Sequence, residues 1–537
     1  MRLFRSGIVL IPVLCVFACT EQLDQADGSG DTGVAPEVVD ARVLPFWNIN
    51  QAYLGAWSVQ EGESIDVYVS SGEPYSLELK RMGIWSTFVW GGGPYTGSMQ
   101  SLPESTPWKT SLNWLNPVAV PIPADSDSGV YQLAVRYSDG DVSILQFVVR
   151  DSEPGSTSRI LVLDNATTRA AYNNWGGKSV YSFNSTGSEP AIEVSMYRPG
   201  QNRFADQQIK FLRWAEAADI DIEWASTLDW HNDPDIFDPY DTIVLVEHSE
   251  YWTLEMRNKV DAFVAAGGSL VSFSGNTAWW QIRLEGDLMA AYKWAPGDPL
   301  YGVDDARVTT NFFAAPVNNP ENSTIGVSFR NGGYHNNDGH YMEEDGWGGF
   351  DVVNPRHPLF AGTALQYGDQ FGVEATIAGY EVDGAEYSIV GGIPVVTGSD
   401  GTPHTLEILA TTPAATSSRE AMGTIVAGEV GDNGGQIINM STVDWADGLW
   451  AGYGAYGHVA DPVVGKITLN VFKQASPGSG AECSPECHSE YNDADRDGLD
   501  DKCDLCILLG GPNRDYDGDG TGEICEPESS DWGVPGG

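Results

Sequence analysis

Two hydrophobic patterns divide the chain. Between residues 39 and 150, short runs alternate polar and apolar positions, and Gly, Pro, Asp and Ser separate them. Alternation with a period of two is typical of strands that bury one face. Because no helical period of comparable length occurs there, the pattern predicts a β-sandwich over residues 39–150.

A polar link at residues 151–158 separates this region from one in which strand patterns alternate with helix patterns. Continuous apolar runs such as 243–246 predict buried strands, and the amphipathic segment 205–218 predicts a helix. Such alternation implies a parallel sheet with helices on both faces. We therefore predict a doubly wound α/β domain, of the flavodoxin or glutamine-amidotransferase-like kind, over residues 156–475. Residues 296–420 are predicted as long loops with some strand pairing, and 463–473 as a closing helix.

Polar residues follow two of the predicted strands. Glu247-His248-Ser249-Glu250 comes directly after the run 243–246, and Gly275-Asn276 ends the strand predicted over 269–273. Open α/β sheets bind ligands outside the carboxyl ends of their strands. We therefore expect His248, Glu250 and Asn276 to lie in one crevice.

Each candidate also has a simpler structural explanation. His248 and Glu250 could form a hydrogen-bonded pair at the start of the helix predicted from Thr253, and Asn276 could close a turn. Tyr131 shares a strand face with other apolar residues, so its pattern alone favours a place in the sandwich core.

The charge of the chain narrows the classes of partner. Among 537 residues, 28 are basic and 75 acidic, which gives a formal net charge of -47. This charge opposes binding to nucleic acid or to an anionic membrane surface, and cations are the expected partners. A chain of this length is too long for one core and is predicted to form several domains.

The first residues predict export. Two arginines precede the apolar run 8–17, which is too short to span a bilayer as a stable helix. Val16-Phe17-Ala18-Cys19 resembles a bacterial lipobox, which implies a lipoprotein signal over 1–18 and lipidation of Cys19. A plain secretory signal is the alternative. Residues 19–38 form an acidic linker. The expected location is the outer membrane or cell surface of a bacterium, with membrane contact only through the lipid anchor.

Three ordered motifs carry a family resemblance: Ala171-Tyr172-Asn173-Asn174-Trp175-Gly176-Gly177, Glu-His-Ser-Glu-Tyr-Trp at 247–252 and Gly-Asn-Thr-Ala-Trp-Trp at 275–280. Over about residues 39–474 the chain resembles the large (beta) subunit of N,N-dimethylformamidase. The resemblance implies a mononuclear ferric ion, Fe(III), held by Tyr131, Tyr172 and Glu250. It also implies that His248 and Asn276 line the pocket. A glutamate of the Gly-Tyr-Glu-Val-Asp-Gly motif is expected to assist catalysis; it is matched to Glu381, with Glu386 as the alternative.

Chemistry supports this donor set. Phenolate and carboxylate oxygens are hard donors that suit a hard, highly charged cation, and open positions could acidify water or polarise an amide carbonyl. His248 is placed to accept a proton, and Asn276 to donate a hydrogen bond to a developing oxyanion. Because Tyr131 belongs to the predicted sandwich and the other ligands to the α/β domain, we expect the ion to clamp the two domains together.

The acidic tail predicts calcium binding. Residues 493–503 and 513–525 carry aspartates at alternate positions before a glycine and resemble thrombospondin type 3 repeats, predicted over 481–528 with a terminal tail at 529–537. Such spacing can wrap oxygen ligands around Ca²⁺. An EF-hand and a disordered acidic linker are the alternatives. The candidate ligands are Asp493, Asp495, Asp497, Asp500, Asp515, Asp517, Asp519 and Glu523. The resemblance pairs Cys506 with Cys525 and Cys487 with Cys503, and it assigns no partner to Cys483.

These predictions favour a surface lipoprotein whose ferric site hydrolyses an amide or a related C–N bond of a small substrate. The alternative is a non-catalytic, calcium-dependent adhesion or binding protein on the same scaffold, for which the 18 Trp residues would supply contact surface. A serine hydrolase is disfavoured because no Gly-x-Ser-x-Gly elbow follows a strand with a suitable histidine downstream. The substrate, the partner of the tail and the formation of a homo-oligomer are left open.

Overall fold

The computed structural model describes residues 50–103, 105–200, 206–334, 348–416, 419–451 and 459–476. Within these ranges the protein is rich in strand and contains six α-helices. The predicted signal, Cys19 and the acidic linker lie outside the described residues, as do the calcium loops and every cysteine of the chain. No helix in the described part is long and apolar enough to cross a membrane.

Eight strands form the N-terminal part. They are β1 (Gln51–Leu54), β2 (Ser58–Gln60), β3 (Ser64–Ser70), β4 (Tyr75–Arg81), β5 (Thr87–Tyr95), β6 (Val118–Pro121), β7 (Gly129–Tyr137) and β8 (Val142–Arg150). One sheet has the order β1-β3-β6 and the other β2-β8-β7-β4-β5. Alternate residues of both sheets, among them Val67, Leu79 and Phe147, join one hydrophobic cluster. Strands are therefore confirmed in this region, while the assignment of the two sheets to a β-sandwich fold stays a prediction.

Strands and helices alternate through the rest of the described chain. The elements are β9 (Ile160–Asp164), α1 (Ala166–Tyr172), β10 (Glu193–Ser195), α2 (Asp206–Ala217), β11 (Glu223–Ser226), α3 (Thr227–Asn232), β12 (Thr242–Glu247), β13 (Tyr251–Thr253), α4 (Leu254–Ala265), β14 (Ser269–Ser274), β15 (Trp280–Glu285), β16 (Leu288–Ala290), α5 (Asn322–Ile325), β17 (Ser328–Gly333), β18 (Phe350–Val352), β19 (Gln370–Phe371), β20 (Val382–Gly384), β21 (Tyr387–Val390), β22 (Ile393–Val396), β23 (Glu407–Thr416), β24 (Arg419–Val430), β25 (Gly435–Asn439) and α6 (Pro462–Ala475).

A mixed nine-stranded sheet organises this region, in the order β11-β9-β12-β14-β25-β24-β23-β18-β19. The first five strands are parallel, as the sequence pattern predicts. The last four pair antiparallel with their neighbours, so the sheet is mixed where the pattern predicts a parallel one. The antiparallel half comes mostly from the region predicted as long loops with some strand pairing. Only two residues separate β23 from β24, and so short a connection requires the two strands to pair antiparallel as a hairpin.

Helices cover both faces of the parallel strands. Successive residues of β12 point to opposite faces, so Val244 and Val246 pack with α2 and α6, whereas Ile243 and Leu245 pack with α3 and α4. The predicted closing helix is confirmed as α6. Its start is capped by Asp461, whose side chain accepts the Val463 N–H, and Pro462 occupies its first position.

The two parts of the molecule share apolar core and buried polar contacts. Met82, Val130 and Val148, from the first eight strands or the loop after β4, belong to the same cluster as α2 and α6. Gln146 on β8 donates a hydrogen bond to Gln208 on α2 at 3.3 Å, and both side chains are fully buried. These contacts join the two parts directly.

The side chain of Glu223 forms hydrogen bonds with the linker at residues 151–158. Its buried carboxylate accepts the backbone N–H groups of Gly155, Thr157 and Ser158 at 2.9–3.0 Å and the Tyr240 hydroxyl at 2.6 Å. We expect Glu223→Ala to lower the free energy of unfolding by about 2 kcal/mol, because several donors lose their acceptor. Urea unfolding followed by circular dichroism measures this, with the exposed Glu374→Ala as control. Equal stability of both variants would contradict this role of Glu223.

Candidate active site

The candidate site lies where connections leave the sheet in opposite directions. From β9 the chain passes to β11 on one side, whereas from β12 it passes to β14 on the other. Such a switch point leaves a crevice at the carboxyl ends of the strands. Here α1 follows β9, residues 248–250 follow β12, and Asn276 follows β14.

The backbone bends sharply at both strand ends. Glu247 has φ 72°, and Asn276 has φ 47°, a left-handed conformation that is uncommon for residues other than glycine. The two exits then run side by side, because Ala278 N–H donates to the Ser249 carbonyl at 2.8 Å and Trp280 N–H to the Glu250 carbonyl at 3.0 Å. This pairing places Glu250 and Asn276 in the same buried region.

Two phenols and a carboxylate meet at the centre of the site. Tyr172 at the end of α1 donates to Glu250 Oε2 at 2.9 Å. The Tyr181 hydroxyl oxygen lies 2.9 Å from that of Tyr172 and 2.8 Å from Glu250 Oε2. The three oxygens therefore form a triangle with sides of 2.8–2.9 Å. We call these three residues the oxygen triangle.

Cationic and aromatic groups surround the oxygen triangle. The Tyr251 hydroxyl lies 2.5 Å from that of Tyr181. The half-buried Lys293 holds its ammonium 3.5 Å from the Tyr181 ring centroid, 4.7 Å from that of Trp280 and 5.2 Å from that of Tyr251. This ammonium offsets part of the negative charge of the triangle.

His248 links the oxygen triangle to a second carboxylate. Its Nε2 lies 3.2 Å from the Tyr172 hydroxyl, 3.1 Å from Glu250 and 3.3 Å from Glu381. Its other ring nitrogen lies 3.1 Å from the Gly275 carbonyl. Asn276 donates from Nδ2 to Glu381 Oε1 at 3.2 Å. A continuous polar chain thus runs from Tyr181 to Asn276.

Neighbouring backbone positions Glu381 and Asn276. The Glu381 carbonyl accepts the Val443 N–H at 3.2 Å, in the loop that follows β25. A side chain at Gly275 would collide with the Glu381 carbonyl, so this close approach requires glycine. The buried Asp383 accepts the N–H groups of Asn276 and Thr277 at 2.9 and 3.2 Å.

Burial and charge shift the proton affinities in opposite directions. Burial disfavours a charged His248, but the Glu381 and Glu250 carboxylates outweigh it and raise its pKa to about 9. Burial alone would raise the pKa of Glu250, but His248 holds it below the ordinary value. Burial raises the pKa of Glu381 to about 8, and Glu250 and Asp383 add to this shift. Because each group shifts the pKa of the other, the protonation states of His248 and Glu381 depend on each other.

Tyr131 does not join this cluster, which corrects the expected ligand set. Its hydroxyl donates to the Asp127 carbonyl at 2.8 Å, its ring packs on Phe147, and burial raises its pKa to about 12. The alternation along β7 directs it into the N-terminal core with Leu133 and Val135. Tyr181 stands beside Tyr172 and Glu250 instead. The oxygen triangle thus lies wholly in the second part of the molecule, and Tyr131, on which the expected clamp between the domains depends, contributes no oxygen to it.

The structure brings together the other predicted residues. His248, Glu250, Asn276 and Tyr172 are each at most 2% exposed and share the cluster. Of the two candidate glutamates, Glu381 lies in the cluster, whereas Glu386 is exposed and accepts a hydrogen bond from Ser399.

Four further residues of the site went unnoticed in the sequence: Tyr181, Tyr251, Lys293 and Asp383. Tyr251 directly follows Glu250, and Asp383 lies in the motif of Glu381, so the two motifs could have indicated both residues. Tyr181 and Lys293 follow no strand pattern, and only the fold places them beside the triangle.

The oxygen triangle suits a small, hard cation. Among the described residues, no group of three or more His, Cys, Asp and Glu side chains is arranged to hold a metal ion. The donors here are instead two phenols and one carboxylate, which are hard oxygen ligands. The three oxygens lie 2.8–2.9 Å from one another, so Tyr172, Tyr181 and Glu250 are the residues that would hold such an ion.

Comparison with known families agrees with the motifs. A family model described as N,N-dimethylformamidase beta subunit-like, C-terminal, matches residues 76–456, more than half of the chain. The match includes every residue of the candidate site. The family suggests a hydrolase-like function and is generally associated with a metal. No curated protein matches the chain.

We expect Asp383 to make stability depend on pH. Burial raises its pKa to about 8, against the backbone N–H groups that favour its charged form. A raised pKa stabilises the folded state fully at low pH, and this contribution is lost as pH rises through about 8. Asp383→Asn should therefore gain stability relative to the parent protein between pH 5 and 9, by up to about 4 kcal/mol.

Urea unfolding at several pH values measures this difference, with the exposed Asp238→Asn as control. A difference that stays constant across the range would mean that Asp383 is ionised in the folded protein at neutral pH.

Proposed function

We propose that this chain, which belongs to the N,N-dimethylformamidase beta subunit-like family, hydrolyses an amide or a related C–N bond with the help of a ferric ion. The observation that carries the proposal is the oxygen triangle of Tyr172, Tyr181 and Glu250, which directly contacts His248. Hard anionic donors beside a group that can transfer protons are what metal-assisted hydrolysis requires.

Tyr172, Tyr181 and Glu250 would hold the ion. When bound there, a ferric ion supplies Lewis acidity and balances the charge of two phenolates and one carboxylate. The chain's own residues then bind, orient and transfer protons. Lys293 keeps Tyr181 directed at Glu250 by its contact with the ring.

His248 and Glu381 are placed to move protons. Hydrolysis forms a bond between the oxygen of water and the carbonyl carbon, breaks the C–N bond, and transfers one proton from water to the leaving nitrogen. The pair His248–Glu381, 3.3 Å apart, can take that proton and return it, because His248 Nε2 lies within reach of both Glu381 and Glu250.

Asn276 is placed to polarise the carbonyl. Only one N–H of its side chain amide is used by Glu381, so the second can donate to the oxygen on which charge develops. Its backbone is fixed by Asp383, which reduces the motion that such a donor must lose on binding.

We also propose the cellular setting from the sequence. The chain is exported, anchored through Cys19 at a bacterial surface, and carries a calcium-binding tail at residues 481–528 that contacts a surface partner. The N-terminal motif and the two repeat-like segments support this setting.

The ligand set is tested with two matched substitutions. We expect Tyr181→Phe to lose bound iron and the visible absorption band of ferric tyrosinate, because it removes one oxygen of the triangle. Tyr131→Phe removes the same atom from a buried tyrosine outside the site and should keep both. Iron content and the visible spectrum of the purified full chain measure the difference.

Loss of iron in Tyr131→Phe with retention in Tyr181→Phe would overturn the ligand set. Parent protein that contains calcium but no iron and hydrolyses no amide would favour the adhesion role instead.

Proton transfer is tested at His248. We expect His248→Gln to lower kcat by about 10²- to 10⁴-fold while iron content stays unchanged, because general acid–base catalysis contributes on this scale. Steady-state kinetics and metal analysis on the same preparation measure both quantities. A variant with full kcat would remove His248 from the mechanism.

A further inference from the structure

Arg198 is a buried cation without a carboxylate partner. Its side chain is 0% exposed, and no carboxylate among the described residues forms an ion pair with it. Keeping an unpaired charge out of water is costly, so the hydrogen bonds of the guanidinium must account for its place in the fold.

The four N–H groups of its terminal nitrogens all meet backbone carbonyls. Nη1 donates to the carbonyls of Trp108 and Ser195, both at 2.8 Å. Nη2 donates to the Ala170 carbonyl at 3.0 Å and to the Asn173 carbonyl at 2.6 Å. Because a guanidinium holds its donors in one rigid plane, the four contacts fix the relative positions of the segments that carry these carbonyls.

Two of the four carbonyls flank Tyr172. Ala170 and Tyr172 lie in the last turn of α1, and Asn173 follows it. The last carbonyls of a helix have no partner within the helix, and a cation stabilises that end. Arg198 thus holds the end of α1 from which the Tyr172 hydroxyl reaches Glu250 at 2.9 Å.

The other two carbonyls belong to segments outside α1. Ser195 lies on β10, and Trp108 lies in the connection between β5 and β6 of the N-terminal part. The Ser195 N–H donates to the Trp108 carbonyl at 2.8 Å, which joins these segments to each other. A side chain at Gly176 would come within 2.6 Å of the Trp108 backbone nitrogen, so the loop after α1 packs closely on the same connection. Arg198 therefore ties the end of α1 to a packed frame.

Asn173 adds a second link to the same segment. Its Nδ2 donates to the carbonyl of Pro199, the residue after Arg198, at 2.8 Å. Its Oδ1 accepts the Trp175 N–H at 2.9 Å. Residues 198 and 199 thus hold both the backbone and the side chain of the residue that follows Tyr172.

We propose that Arg198, together with the Asn173–Pro199 contact beside it, is a positioning residue that sets the place of the Tyr172 hydroxyl in the oxygen triangle and so the strength with which the triangle binds a ferric ion. Arg198 touches neither the ion nor the substrate in this role; it acts through the end of α1. The inference rests on the proposed function and adds to it a residue outside the site.

Lysine at position 198 tests the role of the guanidinium. Arg198→Lys keeps the charge, but one ammonium with three N–H groups cannot donate to four carbonyls in different directions, so the end of α1 loses part of its support. We expect the ferric affinity of the full-length protein to fall by about 10-fold or more, the scale on which partners of metal ligands act. Competition of the iron-free protein with nitrilotriacetate for Fe(III) measures this affinity.

The visible spectrum gives a second readout. At saturating iron, the wavelength of the ferric tyrosinate band depends on how the phenolate meets the ion and not on how much iron is bound. We expect the band maximum of Arg198→Lys to differ from that of the parent protein, because Tyr172 is displaced. A general loss of stability would leave the band of the loaded protein where it is.

Arg257→Lys is the matched control. Arg257 on α4 is also 0% exposed, and it donates to the carbonyls of Asn319 at 3.1 Å and Pro320 at 2.7 Å, away from the oxygen triangle. The same atoms are removed from an equally buried guanidinium, so both variants should unfold at a lower temperature than the parent protein. Only Arg198→Lys should change the site; Arg257→Lys should keep the parent band and a ferric affinity within about 2-fold of the parent value.

A second pair of variants applies if Arg198→Lys does not fold. Asn173→Ala removes the side-chain link to Pro199 and leaves Arg198 in place, and it should shift the same band. Asn433→Ala is its control, because Asn433 also donates from Nδ2 to a carbonyl, that of Ala265 at 2.7 Å, but lies at the surface outside the site. An unshifted band in Asn173→Ala would overturn the inference.

The outcomes separate the two proposals. Parent-like affinity and band in Arg198→Lys, or an equal loss of affinity in Arg198→Lys and Arg257→Lys, overturns the inference and leaves the proposed function standing. Weakened iron binding and a shifted band in Arg198→Lys alone, with a parent protein that hydrolyses no amide, support the inference and overturn the proposed function. A parent protein that binds no ferric ion overturns both.

Discussion

The burial of Glu250 is the constraint on which the site depends. A carboxylate that is fully removed from water is stable only if other groups replace its hydration, and the desolvation of an isolated charge would cost many kilocalories per mole. Here Tyr172, Tyr181 and His248 all contact the carboxylate, and the Lys293 ammonium lies against the ring of Tyr181. Because all four neighbours are themselves titratable, a small number of protons can be distributed among them in several ways, and a cation would replace those protons without moving the oxygens far.

The parallel strands make this arrangement possible. A polar side chain at the end of a buried strand leaves the sheet at a defined place, and β9, β12 and β14 deliver α1, His248 with Glu250, and Asn276 to one edge. The left-handed backbone at Glu247 and Asn276 turns both exits sharply, at a local cost in energy that the surrounding contacts offset. The separate pair of strands β17 and β20 supplies the other carboxylates, because Asp383 lies on β20 and Glu381 directly precedes it.

The sequence could predict those parts of the site that follow regular strands. His248, Glu250 and Asn276 could be placed together because their strands show continuous apolar runs. Tyr131 was misplaced because a motif match was preferred to the alternation along β7, which already favoured the core. Tyr181 could not be found, because its position depends on a loop between α1 and β10 without a repeating pattern. Most of the antiparallel strands were missed for a similar reason, since the region 296–420 as a whole is rich in Gly, Asn and aromatic residues and shows no clear repeating pattern.

The N-terminal sheets support the site through hydrogen bonds and contribute no oxygen to the triangle. Gln146 on β8 contacts Gln208 on α2, and Arg169 on α1 contacts both Gln208 and Asp164, with every member of this chain fully buried. Arg169 lies on the same short helix as Tyr172, so its buried pair with Asp164 fixes the helix that carries one oxygen of the triangle. A buried polar network of this kind holds its members in one arrangement, because any displacement leaves charges unpaired. Through these hydrogen bonds the N-terminal sheets support the helix that carries Tyr172 and so help to hold its hydroxyl beside Glu250.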